Sequence, residues 1–500
     1  MGAAPPAGGD PSAAALARGS GLVFFAGMAD KLLRWAMKWA LSGLLGPAGL
    51  GLLELANRIG ATITAFSPLG ADSAIVYFGA RFRAAGEPAH LAGALRVGAA
   101  FSAVPGVVVG LALFAVGWAA PAGLEPDTAR ALCWVGPTVA VWSPLLYLSS
   151  ALRSTGELRG SVFAVQVVAP ALLLALSLGA VAGLGAGVDG ALAAWWASTA
   201  ATLALVVWEF RRRFGAVLTA HPGVPAGGWR GFAAFSLPQA MTAGAFRLNL
   251  VLDVLVLGAL GSRADVGVYS VAASLAAFGL VPSGAVVAIF NPLISALVAQ
   301  REIPRLAGLL RTVTRWLVLA SAPAFLVLAV LPAELLSVYD AAYAPAAAPL
   351  VILLGGQAIQ TICAPAMRLI PMSGHAWLNL ANGVGALVLN LGLLAWWVPS
   401  HGAVGAAWAS SVTLGAWSLW RLAEIAVLWR VNAFGAGALA PLLAALGGGL
   451  GTVALAESPL ARALGLGATL LALGAAAWAT RTPDDALVVG RIAARLRRRG

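Results

Sequence analysis

Residues 22–79 read LVFFAGMAD KLLRWAMKWA LSGLLGPAGL GLLELANRIG ATITAFSPLG ADSAIVYFG, and this stretch decides the fold class. Two apolar runs, 22–45 and 50–79, flank Gly46-Pro47, a pair that ends a helix and turns the chain. Crossing a hydrocarbon core of roughly 30 Å takes about 20 helical residues, and each run is long enough. The reading is two membrane helices joined by a tight turn.

The same pattern recurs along the chain. Of 500 residues, 60% are hydrophobic and 10% charged, against about 25% charged in soluble domains. Apolar runs separated by charged or Pro/Gly-rich breaks fall at 22–45, 50–79, 93–118, 129–152, 161–183, 190–210, 231–260, 265–299, 313–331, 348–371, 376–398, 403–429, 435–456 and 459–479. The expectation is an all-α polytopic membrane protein of about 14 transmembrane helices. Loops this short leave no room for a soluble catalytic domain.

Charge sets the orientation. A net charge of +12 raises the question of nucleic acid, but the basic residues sit in short clusters between apolar runs rather than on one surface, so no nucleic-acid partner is expected. Comparing alternate loops puts 22 basic residues on one side, including Arg81/Arg83, Arg211 to Arg213 and the tail from Arg491, and only Arg130, Arg263 and Arg462 on the other. Positive-inside bias then places both termini in the cytoplasm and the chain in the inner membrane. Residues 1–21 read as a disordered tail. Cys133 and Cys363 fall within apolar runs and read as small buried hydrophobes. No metal site or cofactor is expected.

A weak internal repeat pairs spans 1–6 with spans 7–12. Leu91-Ala92-Gly93-Ala94-Leu95-Arg96 returns 215 residues later as Leu306-Ala307-Gly308-Leu309-Leu310-Arg311, and Pro68-Leu69-Gly70-Ala71 returns as Pro282-Ser283-Gly284-Ala285. Six spans per half predicts two parallel six-helix lobes plus two C-terminal helices. The domains are then an N-lobe at 22–213, a linker at 214–230, a C-lobe at 231–430, spans 13 and 14 at 431–480, and a basic tail at 481–500. Both Pro-x-Gly-Ala segments interrupt long spans, where proline bends a helix.

Six basic residues lie deep inside spans, more than a turn from either end: Lys31, Arg34, Lys38, Arg58, Arg247 and Arg421. Each costs about 2.5–3.5 kcal/mol at a helix centre on insertion scales, so each needs a partner or a wet cavity. Lys31, Arg34 and Lys38 recur at i, i+3 and i+7 and share an arc of about 60° on one helix face. Asp30 lies beside this stripe, Glu54 and Arg58 are one turn apart, and Asp253 is one turn from Asn249. The pattern supports two readings, an interhelical ion-pair network or an anion site of the kind that phosphate and pyrophosphate require. Under the anion reading Lys31, Arg34, Lys38, Arg58 and Arg247 bind substrate, with Arg34 and Arg247 in equivalent places in the two halves. Asp253, Asp30 and Glu54 are the candidate ion-coupling acids. Trp35 and Trp39 are candidates for sugar stacking, and Gln166, Gln357, Gln360, Asn379, Asn382 and Asn390 for sugar hydroxyls or for bonds between helices. Without a nucleotide phosphate loop, an ion or proton gradient is the expected drive.

Leu44-Leu45-Gly46-Pro47-Ala48-Gly49-Leu50-Gly51 resembles the signature after the first helix of bacterial polysaccharide flippases of the O-antigen type. These belong to the multidrug/oligosaccharidyl-lipid/polysaccharide exporter (MOP) superfamily. Asp253 to Gly258 and Val266 to Ala272 look like the matching signature at spans 7 and 8, and Gly402 to Ala409 is similar to the pattern entering span 12. The resemblance implies a two-lobed, V-shaped transporter that alternates access. Its implied substrate is undecaprenyl-pyrophosphate-linked oligosaccharide, moved from the cytoplasmic to the periplasmic leaflet, with membrane lipid and a polysaccharide polymerase as implied partners. Span 1 carries more charge than the family pattern, which leaves a different substrate open. An ion-coupled drug exporter and a lipid II flippase of the same superfamily are the alternatives, and a cationic stripe disfavours cationic drugs. A glycan polymerase or ligase would resemble chains with a large periplasmic loop, which is missing, and a membrane scaffold gives no reason for cations at mid-depth.

Overall fold

The computed structural model describes residues 11–154, 159–219, 228–283, 297, 302–367, 369–372, 376–431 and 436–481. Every regular element among them is helical. In chain order these are α1 (Pro11–Phe66), α2 (Ala71–Ala84), α3 (Pro88–Ala119), α4 (Pro126–Arg153), α5 (Gly160–Gly183), α6 (Gly187–Thr219), α7 (Gly228–Asn249) and α8 (Leu252–Leu260). There follow α9 (Arg263–Gly279), α10 (Ile303–Val330), α11 (Pro332–Leu336), α12 (Ala347–Met367), α13 (Ala376–Trp429), α14 (Ala436–Leu455) and α15 (Pro459–Ala479).

Two of these are hairpins. On a straight helix Lys38 and Glu54 would stand about 24 Å apart, yet their charged groups meet at 2.8 Å. The chain therefore reverses inside α1, at Gly46 (φ 64°, ψ 178°). In α13 the reversal is at Gly402 (φ 51°, ψ −127°), and Arg421 reaches Asn379 at 3.0 Å across 42 residues. A Cβ on Gly402 would sit 2.8 Å from the Asp265 carboxylate, so both backbone and space require glycine there. Among the described residues eleven helical segments have the length and hydropathy to cross a membrane. Counting each hairpin as two crossings and adding the broken pair α7–α8 gives fourteen, in a multi-pass membrane protein.

The bend read at Pro68-Leu69-Gly70-Ala71 is present. α1 stops at Phe66, Leu69 (φ 48°) and Gly70 (φ 73°) turn left-handed, and α2 resumes at Ala71. Its counterpart is only partly described: α9 ends at Gly279, and Gly284 and Ala285 lie outside the described residues. Two boundaries differ from the apolar runs. The run 231–260 is broken at Leu250–Val251 into α7 and α8. The run at 313–331 belongs to a helix that starts ten residues earlier, at Ile303 with Pro304 in its first turn, where proline needs no N–H partner. Arg311, outside that run, is therefore on α10 together with Arg315, and buried Arg315 donates from Nη2 to the Ala477 carbonyl at 2.7 Å.

The chain forms two compact units, Met1–Gly258 and Ala259–Gly500. In the first, α3 lies against α4 through Gly98, Gly106, Gly110 and Gly117; a Cβ on Gly110 would stand 2.5 Å from the Gly136 carbonyl oxygen. Small residues let helices approach closely in lipid, where burial from water cannot drive association. The broken pair α7–α8 also packs in this unit. A Cβ on Gly70 would meet the Ser236 carbonyl oxygen at 2.0 Å, one on Gly244 the Phe66 ring at 2.1 Å, and one on Gly258 Leu55 at 2.5 Å. In the second unit α12 abuts the outgoing half of α13, where Ser411 donates to the Ile352 carbonyl at 2.8 Å. The last helix, α15, is tied at both ends, by Arg315 to Ala477 and by Arg462 to Glu334 at 3.4 Å.

Candidate functional site

The hairpin in α1 builds the charged cluster of the first unit. Lys38 lies eight residues before Gly46 and Glu54 eight residues after it, so the reversal brings them to the same depth. Both are buried, with Lys38 Nζ 2.8 Å from Glu54 Oε1. Arg58, one turn beyond Glu54, stands 3.9 Å from its other oxygen and is 31% exposed. Arg34 Nε donates to Asp30 Oδ1 at 2.8 Å; this pair is open, at 44% and 26% exposure. Lys31 is exposed and has no ion-pair partner among the described residues. The stripe is thus closed at Lys38 and open at Arg34 and Lys31.

Arg247 and Asp253 sit on either side of the break between α7 and α8, Arg247 in the last turn of one helix and Asp253 in the first turn of the next. Each charge matches the helix end it occupies. Asp253 Oδ1 accepts the Val254 N–H at 2.8 Å. Arg247 is exposed and makes no ion pair among the described residues.

Trp35 and Trp39 stack with ring centres 6.5 Å apart and planes 13° from parallel. Gln166 lies in a π-helical turn, Ala164–Val168, within α5. Its amide oxygen is enclosed without a hydrogen-bond partner among the described residues and would stand 3.9 Å from a Cβ on Gly27, one turn before Lys31. Such turns open the regular backbone ladder and recur at functional sites.

The second unit handles charge differently. Arg421 is buried, donates to the Met367 carbonyl at 2.7 Å and to Asn379 Oδ1 at 3.0 Å, and lies 5.3 Å over the Trp417 ring. Glu424 accepts from Asn382 at 2.6 Å and from Trp420 at 2.7 Å. The sequence marked these residues singly without joining them. Their signal was the hairpin, because Asn379/Arg421 and Asn382/Glu424 are each 42 residues apart about the Gly402 turn. Among the described residues no group of three or more His, Cys, Asp or Glu side chains could hold a metal.

No protein-family profile matches the chain, and no curated protein matches it. Solved structures do. A multidrug-resistance MATE transporter of the MOP superfamily, inward-facing, aligns with a TM-score of 0.68 at 16% identity over 83% of this chain and 99% of its own. The lipid II flippase MurJ in an inward closed conformation aligns with a TM-score of 0.70 at 13% identity over 91% of this chain and 98% of its own. A MOP-superfamily transporter from Pyrococcus furiosus, described by the reverse polarity of its binding pocket, aligns with a TM-score of 0.57 at 16% identity over 84% and 96%. The chain has the fold of these MOP-superfamily membrane transporters.

Proposed function

We propose that this protein is a flippase that moves undecaprenyl-pyrophosphate-linked oligosaccharide from the cytoplasmic to the periplasmic leaflet by alternating access. The observation that carries the reading is the incomplete neutralisation of the cations within the first unit. Five membrane-embedded cations, Lys31, Arg34, Lys38, Arg58 and Arg247, stand against four acids, Asp30, Glu54, Asp72 and Asp253. Lys38 and Glu54 satisfy each other, whereas Lys31 and Arg247 have no ion-pair partner among the described residues and Arg34 is half open. A polyanionic headgroup supplies the missing charge. Arg34 and Arg247 contact the pyrophosphate, Lys31 and Arg58 raise the potential around it, and Lys38 holds the hairpin. Asp253, Asp30 and Glu54 are the acids assigned to ion coupling.

The sign of the charge argues against a cationic drug. The lipid II flippase among the similar structures favours a second reading, in which the lipid carrier is the same and the glycan differs. Both readings need the pyrophosphate site, and a flipping assay in proteoliposomes tests it. Charge-assisted contacts contribute about 1.5–3 kcal/mol each, so Arg34→Gln and Arg247→Gln should each slow flipping about tenfold or more. Wild-type flipping by both folded variants would remove the pyrophosphate site. Comparing an oligosaccharide carried on undecaprenyl pyrophosphate with lipid II then separates the two glycans.

A further inference from the structure

The basic ends of α6 and α7 carry a feature that lies outside the proposed pyrophosphate site. Trp208 and Trp229 are 57% and 60% exposed. Each has a guanidinium stacked on its ring, Arg212 at 5.3 Å from the Trp208 centre and Arg230 at 5.5 Å from that of Trp229. Arg212 is held a second time, its Nε 3.3 Å from Glu209 Oε2, and Glu209 also pairs with Arg213. Arg211 is exposed and has no ion-pair partner among the described residues. These two helix ends thus carry four arginines, Arg211, Arg212, Arg213 and Arg230, and one acid, Glu209. At the C-terminal end of α3, Trp118 is 80% exposed, yet among the described residues no arginine stacks on it.

We infer that the paired Trp208–Arg212 and Trp229–Arg230 form a binding rim for anionic phospholipid headgroups in the leaflet that meets the basic loops. Exposed tryptophan settles at headgroup depth because its ring is apolar and its N–H polar. A guanidinium lying on that ring uses its face for the aromatic contact and keeps its in-plane N–H donors free. Those donors match a phosphate bidentately. The tryptophan thus sets the depth and tilt of a fork that would otherwise sample many rotamers. Glu209 fixes Arg212 from one side only, and the excess of arginine leaves the rim positive. The same motif recurs in the second unit, where Arg481 stacks 4.8 Å over exposed Trp478 at the end of α15.

The full-length protein in detergent micelles can be titrated with dioleoylphosphatidylglycerol or dioleoylphosphatidylcholine and the retained lipid counted by native mass spectrometry. Wild type should retain phosphatidylglycerol preferentially, and each arginine removed in R212Q/R230Q should lower that preference about fivefold. The control R130Q, in one of the arginine-poor loops assigned to the opposite side of the membrane, should leave it intact. The deciding variant is W208L/W229L, which keeps every charge: a site built by stacking loses preference, whereas a diffuse positive surface keeps it. An unchanged preference in W208L/W229L, or none in wild type, overturns the proposal.

Discussion

The charged clusters of the two units differ in what holds each charge. In the first unit cations and acids meet directly, Lys38 with Glu54 and Arg34 with Asp30, and the cations outnumber the acids. In the second, Arg421 and Glu424 each lean on neutral dipoles: a backbone carbonyl and Asn379 for the cation, Asn382 and Trp420 for the acid. One acid and one cation, each held by neutral partners, balance in charge without a ligand. A cluster with surplus charge is unfinished, and a substrate of opposite sign can complete it. The comparison separates charge that holds the fold from charge available for work.

The largest effect should come from the buried pair in the first unit. Removing one partner of a buried ion pair leaves an uncompensated charge and costs about 3–5 kcal/mol. Lys38→Met should therefore lower the unfolding midpoint and the folded yield sharply, and Lys38→Met with Glu54→Gln should recover most of the loss. If Lys38→Met unfolds at the wild-type midpoint in detergent, the hairpin does not depend on this pair.

A smaller loss is expected for Arg421→Met in the second unit. The substitution fills part of the volume but strands the Met367 carbonyl and the Asn379 amide oxygen, and an unsatisfied buried polar group costs about 1–3 kcal/mol. Flipping per folded molecule should stay near wild type, because the one cation and one acid of this cluster balance in charge without a ligand. A large loss of flipping at normal stability would erase the distinction between the two units and make Arg421 part of the transport site.

These contacts also mark how far the sequence could be read. Span number was legible because apolar length is a direct requirement of the bilayer. The turns at Gly46 and Gly402 were legible because glycine and proline interrupt the runs. The break at Leu250–Val251 was not, since two aliphatic residues carry no breaker signal; only the sign change from Arg247 to Asp253 hinted at two helix ends. In the charged cluster the reading paired Glu54 with Arg58 one turn away, but Lys38 is closer, 2.8 Å against 3.9 Å. Counting residues outward from Gly46 would have found it. The stacked arginines on Trp208 and Trp229 depend on rotamers, which no spacing rule fixes.

The smallest effect on stability, and the sharpest division of roles, belongs to Asp30 and Arg34. Their pair is 26% and 44% exposed and spans one helical turn, and open pairs of this kind contribute about 0.3–0.5 kcal/mol. Arg34→Gln with Asp30→Asn should leave folded yield and unfolding midpoint within error of wild type, since neither side chain is left buried and charged. Transport should still fall about tenfold, the loss of one charge-assisted phosphate contact. If Arg34 only served Asp30, removing both would restore transport along with stability. A double variant that is stable and fully active would place Arg34 among the structural charges, and the open end of the stripe would then rest on Lys31 and Arg247. A double variant that is stable and inactive assigns the cation to the substrate.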